Sequence, residues 1–234
     1  MTVRQVTFAI AALALAAAPA TAAPYFYFTN KDAPVVNTLG ANFDPAISGG
    51  LPSDLPVGSK VSTYTDGDSG FGLNLFSDGN VTVRYEFLGK EAGFRNALES
   101  TGGSLTGVLF DENSTSGDTR DSNYGAFDGL LGFRFNADGG GKGSAQNGGA
   151  MSGGGDMSIS FKPFGLTDPT NGSNRYSTIY ALFSDGGGDD FDYDDLAVRI
   201  SLIETPLPPA AILFGGGLAG IPFLSRRRKC AAQA

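Results

Sequence analysis

Five runs of this 234-residue chain alternate apolar and polar residues with a period of two. Val81, Val83, Tyr85 and Phe87 alternate with Thr82, Arg84 and Glu86, and Leu196, Val198, Ile200 and Leu202 alternate with Ala197, Arg199 and Ser201. The same pattern recurs at Phe71, Leu73 and Leu75, at Leu131, Phe133 and Phe135, and at Met157, Ile159 and Phe161. Successive side chains of a strand point to opposite faces, so each run offers one face to a core and one to water. Residues 177–183 read as a further, more buried strand. Turn-forming clusters separate the runs: Asp66-Gly67-Asp68-Ser69-Gly70, Ser77-Asp78-Gly79-Asn80 and Asp168-Pro169-Thr170-Asn171-Gly172. The pattern predicts an all-β protein, an antiparallel β-sandwich or jelly roll in a single domain. Residues 89–100 are the one stretch that reads as a short helix or ordered loop. Residues 137–155, mostly glycine with some Ser, Asn, Asp and Ala, are expected to form a loop within the domain.

The two ends of the chain differ from this body. Residues 1–22 carry Arg4, an apolar stretch over residues 6–18 and Ala20-Thr21-Ala22, the order of a secretory signal with cleavage after Ala22. At the other end, residues 205–229 begin with Thr205-Pro206-Leu207-Pro208-Pro209-Ala210. An uncharged run of eighteen residues, 207–224, follows, then Arg226, Arg227, Arg228 and Lys229, and residues 230–234 form a short tail. A helix needs about seventeen to twenty-five apolar residues to cross a bilayer, so the run is just long enough, and the cations hold that end on the cytoplasmic side.

The tail, read as Pro206-Leu207-Pro208 with Ala210, an apolar run and a basic cluster, resembles the PEP-CTERM sorting signal of Gram-negative bacteria in its VPLPA variant. Thr205 stands where that family usually has Val, and Pro209 is an extra proline. The resemblance implies export through the general secretion machinery and signal peptidase. It further implies transient anchoring in the inner membrane, then cleavage near Pro206–Ala210 by an exosortase, a membrane protease with transpeptidase-like chemistry. The destination is the cell surface or the extracellular matrix.

Between the ends lie residues 23–204, the size of one domain. The whole chain has 16 Lys and Arg against 24 Asp and Glu. Five of the cations and none of the acids belong to the ends, which leaves 11 cations, 24 acids and a net charge of −13. Such a surface repels nucleic acid and favours divalent cations. The single cysteine, Cys230, lies in the tail, so the domain forms no internal disulfide.

The acids concentrate in Ser184-Asp185-Gly186-Gly187-Gly188-Asp189-Asp190-Phe191-Asp192-Tyr193-Asp194-Asp195-Leu196. If residues 190–194 are extended, Asp190, Asp192 and Asp194 share one face about 6–7 Å apart. Each uncompensated pair then costs about 0.6–2.5 kcal/mol. A hard cation relieves this, and Ca²⁺ takes six to eight oxygen ligands from carboxylates and carbonyls. Asp185, Asp189, Asp190, Asp192, Asp194 and Asp195 are therefore candidate Ca²⁺ ligands; the other reading of the stretch is a solvated acidic turn. The helical flanks and twelfth-position Glu of an EF-hand are absent. Asp66, Asp68 and Asp78 read as parts of polar hairpins. Glu91-Ala92-Gly93-Phe94 with Asn96, taken with Asp192-Tyr193-Asp194-Asp195, resembles an uncharacterised bacterial surface domain. In that family a Glu-Ala-Gly-Phe/Tyr-x-Asn block precedes a terminal Gly-Asp-x-Asp-Phe/Tyr-Asn-Asp block, with Asp194 here in place of the second block's Asn. That resemblance covers most of residues 81–203 and implies a β-sandwich with a Ca²⁺ role and no catalysis.

The chain has no His, which removes His-based nucleophile systems and His-based zinc sites. The expected function is thus a non-enzymatic surface or matrix protein. The alternatives are a carbohydrate-binding module using Tyr25, Phe26, Tyr27 or Tyr176 against extracellular polysaccharide and, further off, a glycosidase with paired carboxylates.

Overall fold

The computed structural model describes residues 22–29, 35–38, 52–56, 58–65, 72–90, 95–137, 143–149, 152–153, 157–164, 175–185 and 195–203. Among them are fifteen strands and no helix: β1 (Tyr25–Thr29), β2 (Val35–Thr38), β3 (Lys60–Thr65), β4 (Gly72–Ser77), β5 (Val81–Gly89), β6 (Ala97–Ser100), β7 (Gly107–Phe110), β8 (Thr119–Tyr124), β9 (Phe127–Leu130), β10 (Phe133–Ala137), β11 (Gly143–Gln146), β12 (Ser152–Gly153), β13 (Ser158–Phe164), β14 (Thr178–Ser184) and β15 (Leu196–Ile203). The protein is all-β and its strand pairings are antiparallel. Residues 1–21 of the expected signal segment and all of the expected sorting tail lie outside the described residues.

A seven-stranded sheet runs β2-β3-β13-β14-β15-β5-β8, a five-stranded sheet β12-β11-β10-β6-β7, and a three-stranded sheet β1-β4-β9. The described apolar positions of the period-two runs turn to the core, but the expected wet face is not kept throughout: Asn74, Asn136, Ser158, Ser160 and Ala197 are buried too, because the other face of these strands is also covered. Val81, Val83, Tyr85 and Phe87 of β5 and Val198 and Ile200 of β15 are buried in the main core. The smaller sheets face that core with Phe26, Leu73, Leu75, Phe133 and Phe135. Phe135 stacks on Phe183 at 4.9 Å, and Phe28 and Phe133 both lean on Phe161. Such aromatic pairs add about 0.5–1.5 kcal/mol each beyond the area they bury.

The outer face of the large sheet is partly covered as well. Leu55, in a turn before β3, is fully buried against Val61, Leu88, Tyr180, Leu182 and Ala197. The Tyr180 hydroxyl donates to the Asp54 carboxylate at 2.9 Å, which pins the turn to the sheet. Burial, and then that carboxylate, push the Tyr180 phenol up to about 12, so the bond persists across the physiological range. Nearby, Arg199 on β15 donates to its cross-strand partner Glu86 on β5, and Arg84 pairs with Asp121 at 2.8 Å.

Two stretches differ from the sequence reading. The expected helix or ordered loop over residues 89–100 is a strand in its last four residues, while residues 91–94 lie outside the described set. In β6 Leu98 turns into the core opposite Phe135, and Glu99 turns outward, where Arg134 donates to it at 2.7 Å. The glycine-rich stretch 137–155, expected as loop, contains β11, which pairs with β10 and buries Ala145 against the core. Small residues fit there because β10 supplies the bulk.

Directly after β11 comes Asn147, only 4% exposed. Its Oδ1 accepts the Leu73 N–H at 2.8 Å, while its Nδ2 donates to the carbonyls of Leu73 (2.8 Å) and Leu131 (2.7 Å). Its own N–H donates to the Phe133 carbonyl at 3.1 Å. Leu73 belongs to the three-stranded sheet and Phe133 to the five-stranded one, so this residue joins the two, by its side chain to the first and its backbone to the second. Gly148 follows with φ of +72°, and a Cβ there would come within 2.6 Å of Leu130, so this position requires glycine. Replacing Asn147 by Ala strands the Leu73 N–H and the Leu131 carbonyl in the interior, at about 1–3 kcal/mol per group. Thermal unfolding of Asn147→Ala should show a midpoint lowered by roughly 5–15 °C; a midpoint within 2 °C of the parent's, on the order of 0.5 kcal/mol, would refute the bridging role.

Candidate functional site at the acidic hairpin

The hairpin of β14 and β15 brings the two ends of the acidic stretch side by side. Phe183 pairs with Leu196, so the residues just beyond, Asp185 and Asp195, meet at the mouth of the loop. The Asp185 N–H donates to Asp195 Oδ2 at 2.7 Å. Asn96, fully buried just ahead of β6, reaches across from the five-stranded sheet. Its Nδ2 donates to Asp185 Oδ2 at 3.0 Å and approaches the Asp195 carbonyl at 3.5 Å. The side of the site is shaped by a bulge in the β5–β15 pairing between Ala197 and Val198, opposite Gly89, whose φ is +152°. A bulge of this kind bends the strand end and re-aims the residues beyond it.

Of the six candidate Ca²⁺ ligands, the structure thus brings Asp185 and Asp195 together. Asp189, Asp190, Asp192 and Asp194 lie outside the described residues. Among the described residues no group of three or more His, Cys, Asp or Glu side chains is arranged to hold a metal ion. The side-chain oxygens described there belong to two carboxylates, with the Asn96 amide turning its N–H toward Asp185; carboxylate oxygen is the donor chemistry of a hard cation such as Ca²⁺ or Mg²⁺ rather than of zinc. Asn96 is the residue that a reading of acids alone misses. Its only signal in the sequence is its place at the end of the Glu91-Ala92-Gly93-Phe94-Arg95-Asn96 block.

Asp78 stands at the far end of the fold, where its carboxylate accepts the Ala22 N–H at 2.7 Å. The aromatic candidates separate by strand face. Phe26 is fully buried in the main core and so cannot serve as an exposed contact, because alternation along β1 turns it inward. Its backbone pairs with that of Tyr176, which packs against the core edge and whose phenol is raised by burial. Tyr25 and Tyr27 lie on the opposite face of β1. Phe76 stacks on Tyr25 at 5.0 Å, and the Arg175 guanidinium sits 4.3 Å from the Tyr25 ring centre. The Tyr27 hydroxyl donates to Asp128 at 2.6 Å; burial and this bond push it up to about 12.

No protein-family model matches the sequence, and no curated protein matches it. The two resemblances therefore rest on the residues quoted for them.

Removing the Asn96 amide takes a donor from a buried carboxylate, a bond worth about 1.5–3 kcal/mol when one partner is charged. In EDTA, Asn96→Ala should unfold at a midpoint lower by roughly 4–10 °C. Asn96→Asp should be less stable still at neutral pH, because it adds a third carboxylate to the pair, and should recover part of the loss on acidification. Parent-like melting of both variants would remove Asn96 from the site.

Proposed function

We propose that the chain is an exported, non-catalytic β-sandwich of the bacterial cell surface or extracellular matrix, addressed through its two terminal segments and tightened by Ca²⁺ at the acidic hairpin. One observation carries the reading. The described strands run from Tyr25 to Ile203, inside the interval that the sequence sets between Ala22, the expected cleavage point, and the proline motif from Pro206. The seven-stranded sheet, with two smaller sheets across a shared aromatic core, is the sandwich of this reading.

In the exported form, residues 206–210 are the processing region. Arg226, Arg227, Arg228 and Lys229 orient the membrane segment beforehand. Deleting residues 205–234 should move the protein from the membrane fraction to the periplasm or medium; unchanged fractionation would overturn the sorting claim.

Asp185 and Asp195, with the carboxylates between them in sequence, would hold the cation, and Asn96 orients Asp185. A bound Ca²⁺ would supply charge neutralisation and a link between the two ends of the loop. A ligand at a hundred times its dissociation constant adds about 2.7 kcal/mol, or roughly 5–10 °C for a domain of this size. Melting the purified exported form in EDTA and then in millimolar Ca²⁺ should show that rise, and Asp195→Ala should abolish it. Identical midpoints in the two buffers would leave the hairpin a solvated turn.

A further inference from the structure

The last described residue of β15, Ile203, pairs with Thr82 at the start of β5. Pro206, which opens the proline motif, follows three residues later, and Ala210 seven residues later. An extended chain covers at most about 3.6 Å per residue, so Pro206 lies within roughly 11 Å of the strand end and Ala210 within roughly 25 Å. Strand β15 is not at a sheet edge; β14 and β5 flank it. The tail therefore leaves from the middle of one end of the large sheet.

Other parts of the chain converge on that end. Val81 and Thr82 pair with Tyr124 and Asn123 of β8, Ser77 pairs with Phe127 of β9, and Phe76 pairs with Tyr25 of β1. The turn after Ser77 holds Asp78, which accepts the Ala22 N–H. Ala22 and Ile203 thus flank the same β4–β5 turn. A groove of about 380 Å³ lined by Asn80, Val81, Thr82, Asn123, Tyr124 and Gly125 opens beside them. The opposite end carries the exposed turn 111–118, tied by the Gly117 N–H to the Phe87 carbonyl, together with the Asn96–Asp185–Asp195 site.

We propose that the end bearing Gly79, Asn80, Thr82, Asn123 and Gly125 is the surface that meets the membrane protease when it cuts at the proline motif. The proposal rests on the sorting reading above. Residues up to Ile203 leave the export channel before the tail does, so the domain is free to fold before the motif is cut. A protease that cuts a bond at most roughly 11–25 Å of chain from a folded strand end works close to that end. The shape and charge of the domain's end then help to decide how fast the tail is cut, as clashes do wherever a partner approaches closely.

Two glycines allow this to be tested without disturbing the fold. A Cβ at Gly79 or Gly125 meets nothing within 4 Å, and neither has a positive φ. The double variant Gly79→Arg with Gly125→Arg adds two bulky cations to the proposed contact. Asn113→Arg, on the exposed turn at the other end, serves as the control. The full chain, expressed in a host carrying its own sorting protease, is followed by pulse–chase as precursor converts to product. The double variant should convert at least about fivefold more slowly, a clash of modest size, with Asn113→Arg at the parent rate. Six Gly and Ser residues inserted between Ile203 and Glu204 should restore the double variant, since they add roughly 20 Å of reach. A spacer cannot repair a misfolded domain, so rescue separates contact from instability. Parent-rate conversion of the double variant, equal slowing by Asn113→Arg, or slowing that the spacer does not relieve would each overturn the contact. If the parent chain is never cut near residues 206–210, the sorting reading itself fails.

Discussion

One buried amide holds the two smaller sheets in register. Neither a three-stranded nor a five-stranded sheet covers the seven-stranded one alone, and the chain crosses between them at residues 131–132, where no strand pairing exists. Backbone groups at such a crossing would be buried without partners, which costs free energy comparable to a lost hydrogen bond for each. Asn147 answers with one acceptor and two donors on one short side chain, and Leu131 N–H adds a bond to the Leu73 carbonyl at 2.9 Å. Asp in its place could supply the acceptor alone, and Leu neither. The aromatic contacts of Phe133, Phe135 and Phe28 with the large sheet depend on this junction, because it fixes where β4 and β10 lie relative to one another.

How far the fold could be read from the sequence depended on how much contrast each strand needs between its faces. Strands β5, β10 and β15 keep a core face and a wetter face along part of their length, and their alternation is plain; β13 alternates in sequence but buries Ser158 and Ser160 as well. Strand β8 carries Thr119, Arg120, Asp121 and Asn123 outward at a sheet edge and turns only Ser122 and Tyr124 inward, so it reads as a polar loop. Strand β1 is aromatic on both faces, and nothing in Tyr25-Phe26-Tyr27-Phe28 says which face is inside. Its pairing with β4 settles that, which is why Phe26 proves to be core while Tyr25 lies under Arg175. Strand β11 hides in a glycine-rich run because its contribution is backbone pairing and one small buried residue, Ala145.

The acidic site was readable as a concentration of charge but not as an arrangement. Clustered carboxylates give the chemistry of a hard-cation site from composition alone. The positions of Asp185 and Asp195 follow from the β14–β15 hairpin, and Asn96 arrives from another sheet some ninety residues earlier in the chain. An uncharged residue that comes to hold a carboxylate only through long-range packing leaves no local pattern.

Charge and attachment run along one axis of the molecule. Ala22 and Ile203 sit at the Asp78 end, and Asp185 and Asp195 at the other, separated by the length of β15, roughly 23 Å at strand rise. A body with a net charge of −13 is repelled by an anionic membrane surface. Screening at physiological ionic strength decays over about 8 Å, so the hairpin stands nearly three such lengths farther out than the attachment end. Under the proposed cation binding, its carboxylates would respond to one another rather than to a lipid surface. A domain tethered by its side would bring those carboxylates into the membrane's field and couple cation binding to lipid composition. The antiparallel pairing of β15 with β5 returns the chain to the end from which β1 begins, so attachment through Ile203 would keep the two apart.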